Sequence, residues 1–225
     1  MCPRGLKVEF EGEVPGEMEQ VKKLFPMFVK LEGRRVLVVG AGRVGEPKIA
    51  GLLDTGADVR VVAREASPAV HEWARQGRIS LEERDFAPAD LQGAMLAIVA
   101  TASSQLNAII FRLAHARGVL CNVVDVPDLC DFYYGAVVQR GDLQIAVSTN
   151  GQSPSLARKI REQLEVQFGP EYADLVAELG ATRRRVLASS LDPAVKRELL
   201  LSLAGADVLD TLLAETEPAA QGAAR

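Results

Sequence analysis

Residues 34–45, Arg-Arg-Val-Leu-Val-Val-Gly-Ala-Gly-Arg-Val-Gly, constrain this chain more than any other stretch. Residues 36–39 are four consecutive apolar positions, three of them β-branched, as a strand buried on both faces of a parallel sheet requires. Glycines with G-x-G-x-x-G spacing follow at once. Gly40 suits a tight turn out of the strand, Gly42 lets a pyrophosphate approach the backbone, and Gly45 lets the next helix pack closely on the sheet. The free N–H groups and positive dipole end of that helix then face the phosphates and bind an anion without a basic side chain. A bare glycine motif is common, and the setting makes it informative. A helical pattern (Lys48, Ile49, Leu52, Leu53) follows, Gly56-Ala57 closes it, and a second apolar strand comes at 59–62. That is a complete βαβ unit, and it reads as a dinucleotide site.

The whole chain sets limits on what surrounds this unit. At 225 residues it is long enough for one large domain, or a medium domain with an appendage, without staples. Cys2, Cys121 and Cys130 form neither an even framework nor a C-x-x-C pair, so no disulfide scaffold or zinc module is expected. No apolar run approaches the ~20 residues of a membrane span. The acidic start (Glu9, Glu11, Glu13, Glu17, Glu19) is unlike a signal peptide, and a reducing, cytoplasmic setting fits best. A net charge of -4 and 5% aromatic residues argue against a nucleic-acid surface.

In chain order, residues 1–24 read as an extension without a clear period, and 25–29, Phe-Pro-Met-Phe-Val, as a short edge segment covering the sheet. After the βαβ unit, Ser67-Pro68 opens a helix that Gly77 stops. Strands are expected at 79–83, 95–100 and 120–124, with a helix over 105–117. Five strands with intervening helices predict an α/β fold, a Rossmann-like doubly wound parallel sheet. The pattern then changes. Residues 133–139 and 143–148, joined by Arg140-Gly141-Asp142, predict a hairpin outside the parallel sheet. Ser153-Pro154 and Asp192-Pro193 open helices over 154–168 and 193–204, with another between 171 and 188. The expected division is an extension at 1–24, a cofactor domain at 25–131, a hairpin at 132–150, a small helical domain at 151–215 and a tail at 216–225.

From 25 to 188 the chain resembles the precorrin-2 dehydrogenase family of siroheme biosynthesis, which includes the N-terminal module of siroheme synthases. The likeness rests on Val-Leu-Val-Val-Gly-x-Gly-x-Val through Lys48, on Cys-Asn-Val-Val-Asp at 121–125, and on Ala-Val-Ser-Thr-Asn-Gly-Gln-Ser-Pro-Ser-Leu-Ala-Arg-Lys-Ile-Arg at 146–161. The resemblance implies an NAD-binding domain, a hairpin that joins two subunits into a homodimer, and a helical domain that closes over a tetrapyrrole. It implies oxidation of precorrin-2 to sirohydrochlorin, with ferrous iron as a second substrate in those members that also insert it. On the matching positions, Gly40, Gly42, Arg43, Val44 and Gly45 correspond to the pyrophosphate loop, Arg64 and Glu65 to contacts after the second strand, and Thr101 to the turn after the fourth. Asp125 corresponds to the active-site aspartate. Ser153, Arg158, Lys159 and Arg161 lie in the family motif and are expected to meet substrate carboxylates. Gly45 stands where the family commonly has alanine, a difference expected to be harmless. Pro47 falls in the first helical turn, where proline is tolerated.

Other residues have plainer readings beside these. Asp125 could instead cap a turn ahead of Pro127. The acid that usually holds the adenosine ribose is missing where the second strand is expected to end, at Val62-Ala63-Arg64. Arg64 would then favour a 2′-phosphate, but the resembling family uses NAD without that acid, and NAD is the expected cofactor. His71 and His115 read as solvated or helix-end residues, Cys121 and Cys130 as small buried ones, and Arg183-Arg184-Arg185 as a solvated helix face. No metal site is expected. A redox-sensing Rossmann module and a dehydrogenase of an unrelated small substrate remain as alternative functions.

Overall fold

The computed structural model describes residues 23–203 and 205; apart from residues 23 and 24, the expected extension and tail lie outside the described residues. Five parallel strands form one sheet in the order β3-β2-β1-β4-β5: β1 (Arg35–Ala41), β2 (Asp58–Ala66), β3 (Ser80–Glu83), β4 (Ala94–Val99) and β5 (Leu120–Val123). Its helices are α1 (Gly45–Ala50), α2 (Pro68–Arg75) and α3 (Ser104–His115). The apolar run of β1 divides by alternation. Val36 and Val38 enter the layer that holds Ile49 of α1 and Val70 of α2, while Leu37 and Val39 enter the layer that holds Ile110 and Ala114 of α3. Both faces of β1 are therefore buried, which is why the run contains no polar residue.

Beyond this sheet, β6 (Ala136–Arg140) and β7 (Leu143–Val147) pair antiparallel across Gly141-Asp142, with Gly141 at φ 53°. The helices α4 (Pro154–Gln167), α5 (Tyr172–Ala188) and α6 (Pro193–Ser202) follow. Arg140 ties the hairpin turn to the end of α4, donating from Nε to Phe168 O at 2.9 Å and from Nη2 to Glu165 O at 3.3 Å. Lys48 Nζ of α1 lies 4.0 Å from the centre of the Tyr134 ring, a cation–π contact between the first βαβ unit and the approach to the hairpin.

Three expectations need correction. The helix after the glycines is six residues long rather than reaching Gly56. Leu52, Leu53 and Thr55 bond instead to the carbonyls three residues back, at 2.9–3.2 Å. Apolar residues at 49, 52 and 53 suit such tight turns as well as they suit a helix. The second strand does not stop at Val62. A bulge after Val39 lets Ala41 pair with Ala66, so Arg64 and Glu65 are part of β2 rather than residues after it. Finally, residues 25–29 form no strand: Phe25, Met27 and Phe28 stand exposed, and Pro26 has no N–H to offer a ladder.

Candidate active site at the carboxyl edge of the sheet

Parallel strands bring their carboxyl ends to one edge, and chain order reverses between β1 and β4, where an open α/β sheet leaves a crevice. A cleft of about 410 Å³ opens there. Gly40, Gly42, Arg64, Glu65 and Thr101 line it together, with Arg84, Asp85 and Phe86 from the loop after β3. Gly40 has φ 101° and lies against Ala100, so that a Cβ would come within 2.4 Å of Ala100 O. Nothing lies within 4 Å of where a Gly42 Cβ would be, which leaves that backbone open to a ligand. Arg43 and Val44 are exposed on the turn but do not line the cleft, and Gly45 is buried beneath it.

Gly45 is less interchangeable with alanine than expected. A Cβ on it would fall 2.1 Å from Gly40 O, so the start of α1 is packed directly on the glycine turn. The short α1 also weakens the expected dipole, and its Glu46 N–H already donates to Gly42 O at 2.9 Å. What remains for a phosphate is chiefly the bare backbone of the turn.

The cleft walls are braced from behind. Thr101 donates its hydroxyl proton to Asn107 Oδ1 at 2.6 Å, and Asn107 Nδ2 returns a bond to Thr101 O at 3.2 Å. Arg84 grips Asp90 with both terminal nitrogens, at 2.6 and 2.8 Å, and this guanidinium holds the Asp90 carboxyl below the usual carboxylate range. That pair fixes the loop carrying Asp85 and Phe86. Arg64, by contrast, is largely exposed and only 3.9 Å from Asp85, free to meet a ligand.

Asp125 stands at the same edge, just past β5. Val124 N–H donates to Val99 O at 2.9 Å, as Ala100 N–H does to Val39 O at 2.8 Å, so the ends of β1, β4 and β5 are in register. Asp125 is exposed with φ 64°, a left-handed conformation that aspartate tolerates better than most residues. Among the described residues its carboxylate has no hydrogen-bond or ion-pair partner. The turn-capping role is thus not what the side chain does.

Ser153, Arg158, Lys159 and Arg161 are brought together on α4, which packs on the hairpin, and none of them lines the cleft. Ser153 caps the helix, accepting from Leu156 N at 3.3 Å. Arg158 and Lys159 pair with Glu162 at 3.2 and 3.6 Å, and Arg161 pairs with Glu165. Such pairs on partly exposed side chains contribute ~0–1 kcal/mol each, little enough for a competing anion to displace.

Comparison with known proteins fits this arrangement. An NAD(P)-binding family model matches residues 27–136, and the model of the sirohaem biosynthesis protein central region matches residues 140–167. Siroheme synthase 3 of Aeromonas hydrophila is 36% identical over 194 residues, 86% of this chain and 42% of the relative. Siroheme synthase of Nitrosococcus oceani is 34% identical over 198 residues, 88% of this chain and 42% of the relative. The solved structure of SirC, precorrin-2 dehydrogenase, superposes with a TM-score of 0.75 at 26% identity, covering 85% of this chain and 96% of that one. The chain belongs to the precorrin-2 dehydrogenase and siroheme synthase family. It spans about two fifths of the length of these siroheme synthase relatives, and it carries the family's NAD(P)-binding domain.

Two buried residues of this family member are among those that escaped sequence reading. Asn107 and Asn122 are the buried polar side chains among the described residues, and each braces a loop at the carboxyl edge. A signal was present in both places. Asn107 falls on the stripe of α3 that also carries Ile110 and Ala114, and Asn122 interrupts an apolar strand; a polar residue on a buried face needs partners. Conversely, His115 is not simply solvated: its Nε2 lies 2.7 Å from Asp131 Oδ1. Cys121 is buried as expected, its thiol pushed up to about 12 by desolvation. Cys130 is partly buried and donates to Val123 O and Val126 O at 3.1 and 3.2 Å.

Proposed function

We propose that this chain is an NAD-dependent dehydrogenase that oxidises precorrin-2 to sirohydrochlorin, working as a cytoplasmic homodimer. The observation that carries the reading is the Asp125 carboxylate, unpartnered among the described residues, on the same sheet edge as the glycine-lined cleft. The fit to a dinucleotide rests on the open approach at Gly42 and on Arg64 and Glu65 at the cleft wall. NAD, when bound, supplies the acceptor for the hydride that the substrate loses. Asp125 takes the accompanying proton from the tetrapyrrole carbon, for which an exposed carboxylate is suited. Glu65 in β2 supports NAD over NADP, because a carboxylate at that wall repels a 2′-phosphate.

The division of labour follows the expected boundaries. Residues 25–131 hold the cofactor, 132–150 join two subunits, and 151–215 bring Ser153, Arg158, Lys159 and Arg161 to the carboxylates of the substrate. The match over 140–167 favours a tetrapyrrole over a small acid, and an enzyme over a redox-sensing module. Iron insertion is expected to be slower than dehydrogenation or absent, since any proton removal must lean on Asp125; among the described residues no three His, Cys, Asp or Glu side chains cluster as for a metal. Anaerobic incubation with precorrin-2 and NAD tests the reading, with sirohydrochlorin followed by absorbance. Absence of turnover, or turnover with NADP in preference to NAD, would overturn it in its whole or in its cofactor.

A further inference from the structure

We infer that Asp131, with Asn122 and His115, is a positioning residue that holds the Asp125 loop at the sheet edge; this rests on the dehydrogenase reading above. Asp125 sits on a loop that leaves β5, passes through the short 3₁₀ turn Pro127–Leu129, and returns to bridge Asn122 with Cys130. The loop is short, exposed at its tip, and must keep a non-glycine residue in the left-handed region. Something has to hold it there.

The holding groups all lie at its base. The Asp131 carboxylate accepts from Cys121 N–H at Oδ2, 2.8 Å, and lies 2.7 Å from His115 Nε2 at Oδ1. A carboxylate can only accept, so the imidazole nitrogen facing it carries the proton. Asp131 N–H also donates to Cys121 O at 2.8 Å, so residue 131 grips β5 with both backbone and side chain. Next to it, the buried Asn122 amide donates to Phe132 O at 2.7 Å and to Cys130 Sγ at 3.3 Å. The two ends of the loop are thus fastened to β5 and, through His115, to α3, whose Phe111 packs on the His115 ring at 4.4 Å. None of these groups is on the exposed tip, so the clamp acts on chemistry only through Asp125.

The clamp makes the geometry of Asp125 depend on a carboxylate six positions later in the chain. A base displaced by about 1 Å loses roughly 100-fold in rate. Asp131→Ala is therefore expected to lower kcat by roughly 10- to 100-fold while leaving the NAD dissociation constant and the precorrin-2 KM within about twofold. Asp131→Asn keeps an acceptor for Cys121 N–H and should recover part of the loss. Amide hydrogen exchange at 124–129 should quicken in Asp131→Ala and not elsewhere in the sheet. Should Asp131→Ala not fold, His115→Ala removes the half-exposed arm of the clamp and is read by the same measurements, with a smaller fall in kcat expected. Unchanged kcat in the folded variants, or a fall shared equally by all exchange sites and by NAD affinity, would overturn the positioning role. Quickened exchange at 124–129 in Asp131→Ala, together with a wild-type chain that does not turn over precorrin-2, would overturn the dehydrogenase reading itself and leave the clamp a purely structural fastening.

Discussion

The two ends of the five-stranded sheet carry two concavities, and the smaller one is the candidate site. At the amino end a hollow of about 810 Å³ is lined by Arg34, Arg35, Asp58, Gln92 and Arg117 with several apolar neighbours. At the carboxyl end the cleft measures about 410 Å³. Arg35, however, is consumed by its surroundings, donating to Asp58 Oδ2 and to Gln92 O, both at 3.0 Å. The carboxyl end is the reverse: side chains are withheld at the glycines, Arg64 is only loosely paired, and Asp125 has no partner among the described residues. Volume reports where loops part, whereas unspent hydrogen-bonding capacity reports where a ligand can bind.

Four experiments press on this contrast, from the largest expected effect downward. Asp125→Ala should cost ~10²–10⁴-fold in dehydrogenation while NAD binding and the dimer persist. Wild-type kinetics in the folded variant would remove the carboxyl end's claim to the chemistry. Gly42→Val fills the open approach and should weaken NAD by roughly tenfold or more, measured by titration of the folded protein. Equal affinity would mean that the cofactor does not pass over the turn.

Gly45→Ala should lower stability by ~1–3 kcal/mol in denaturant unfolding, because the added Cβ meets Gly40 O. An unchanged midpoint would show that the turn yields without cost. The smallest effect concerns acid. Asp58 at the amino end and Asp90, which holds Arg84 of the loop after β3, both have lowered carboxyl pKa, by the hydrogen bond from Arg35 and from Arg84 respectively. A lowered folded pKa gives stability that is present above the ordinary value near 4 and lost as pH falls through the folded value. Each contributes roughly 1 kcal/mol or less. Melting temperature followed from pH 6 to pH 2 should fall less steeply in Asp90→Asn than in Asp58→Asn, since Asp90 is the better buried of the two. The opposite order would make the amino end the more tightly held.

The framework of the fold could be read from sequence because its signals are local. The run before Gly40, the glycine spacing, Ser67-Pro68, Ser153-Pro154 and Asp192-Pro193 each specify an element by their own chemistry, and apart from the ends of α1 and β2 the helices and strands stand within a few residues of expectation. The misses share a different cause. The end of β2 depends on a bulge in β1, and the bracing by Asn107, Asn122 and Asp131 depends on loops folding back over α3 and β5. Arg84, Asp85 and Phe86 reach the cleft only because Asp90 anchors their loop. Segment 25–29 was misjudged because apolar composition says nothing about whether a pairing edge is within reach. Of the expected residues, Gly40, Gly42, Arg64, Glu65 and Thr101 line the cleft, whereas Arg84, Asp85 and Phe86, which line it too, and the residues that brace its walls were not legible in the sequence.

The strand order also has a consequence for synthesis. The first half of the sheet, β1 with β2 and β3, consists of neighbours in the chain, but β4 must return across them to lie on the other side of β1, pairing Ala94 with Arg35. Closing that long loop is entropically slower than forming the first βαβ unit. The candidate cleft takes its walls from both halves, Gly40 and Arg64 from the early one and Thr101 from the late one. A growing chain emerging from the ribosome consequently has no complete cleft until β4 has docked, and a ligand that binds there would favour the finished sheet over the half-built one by mass action.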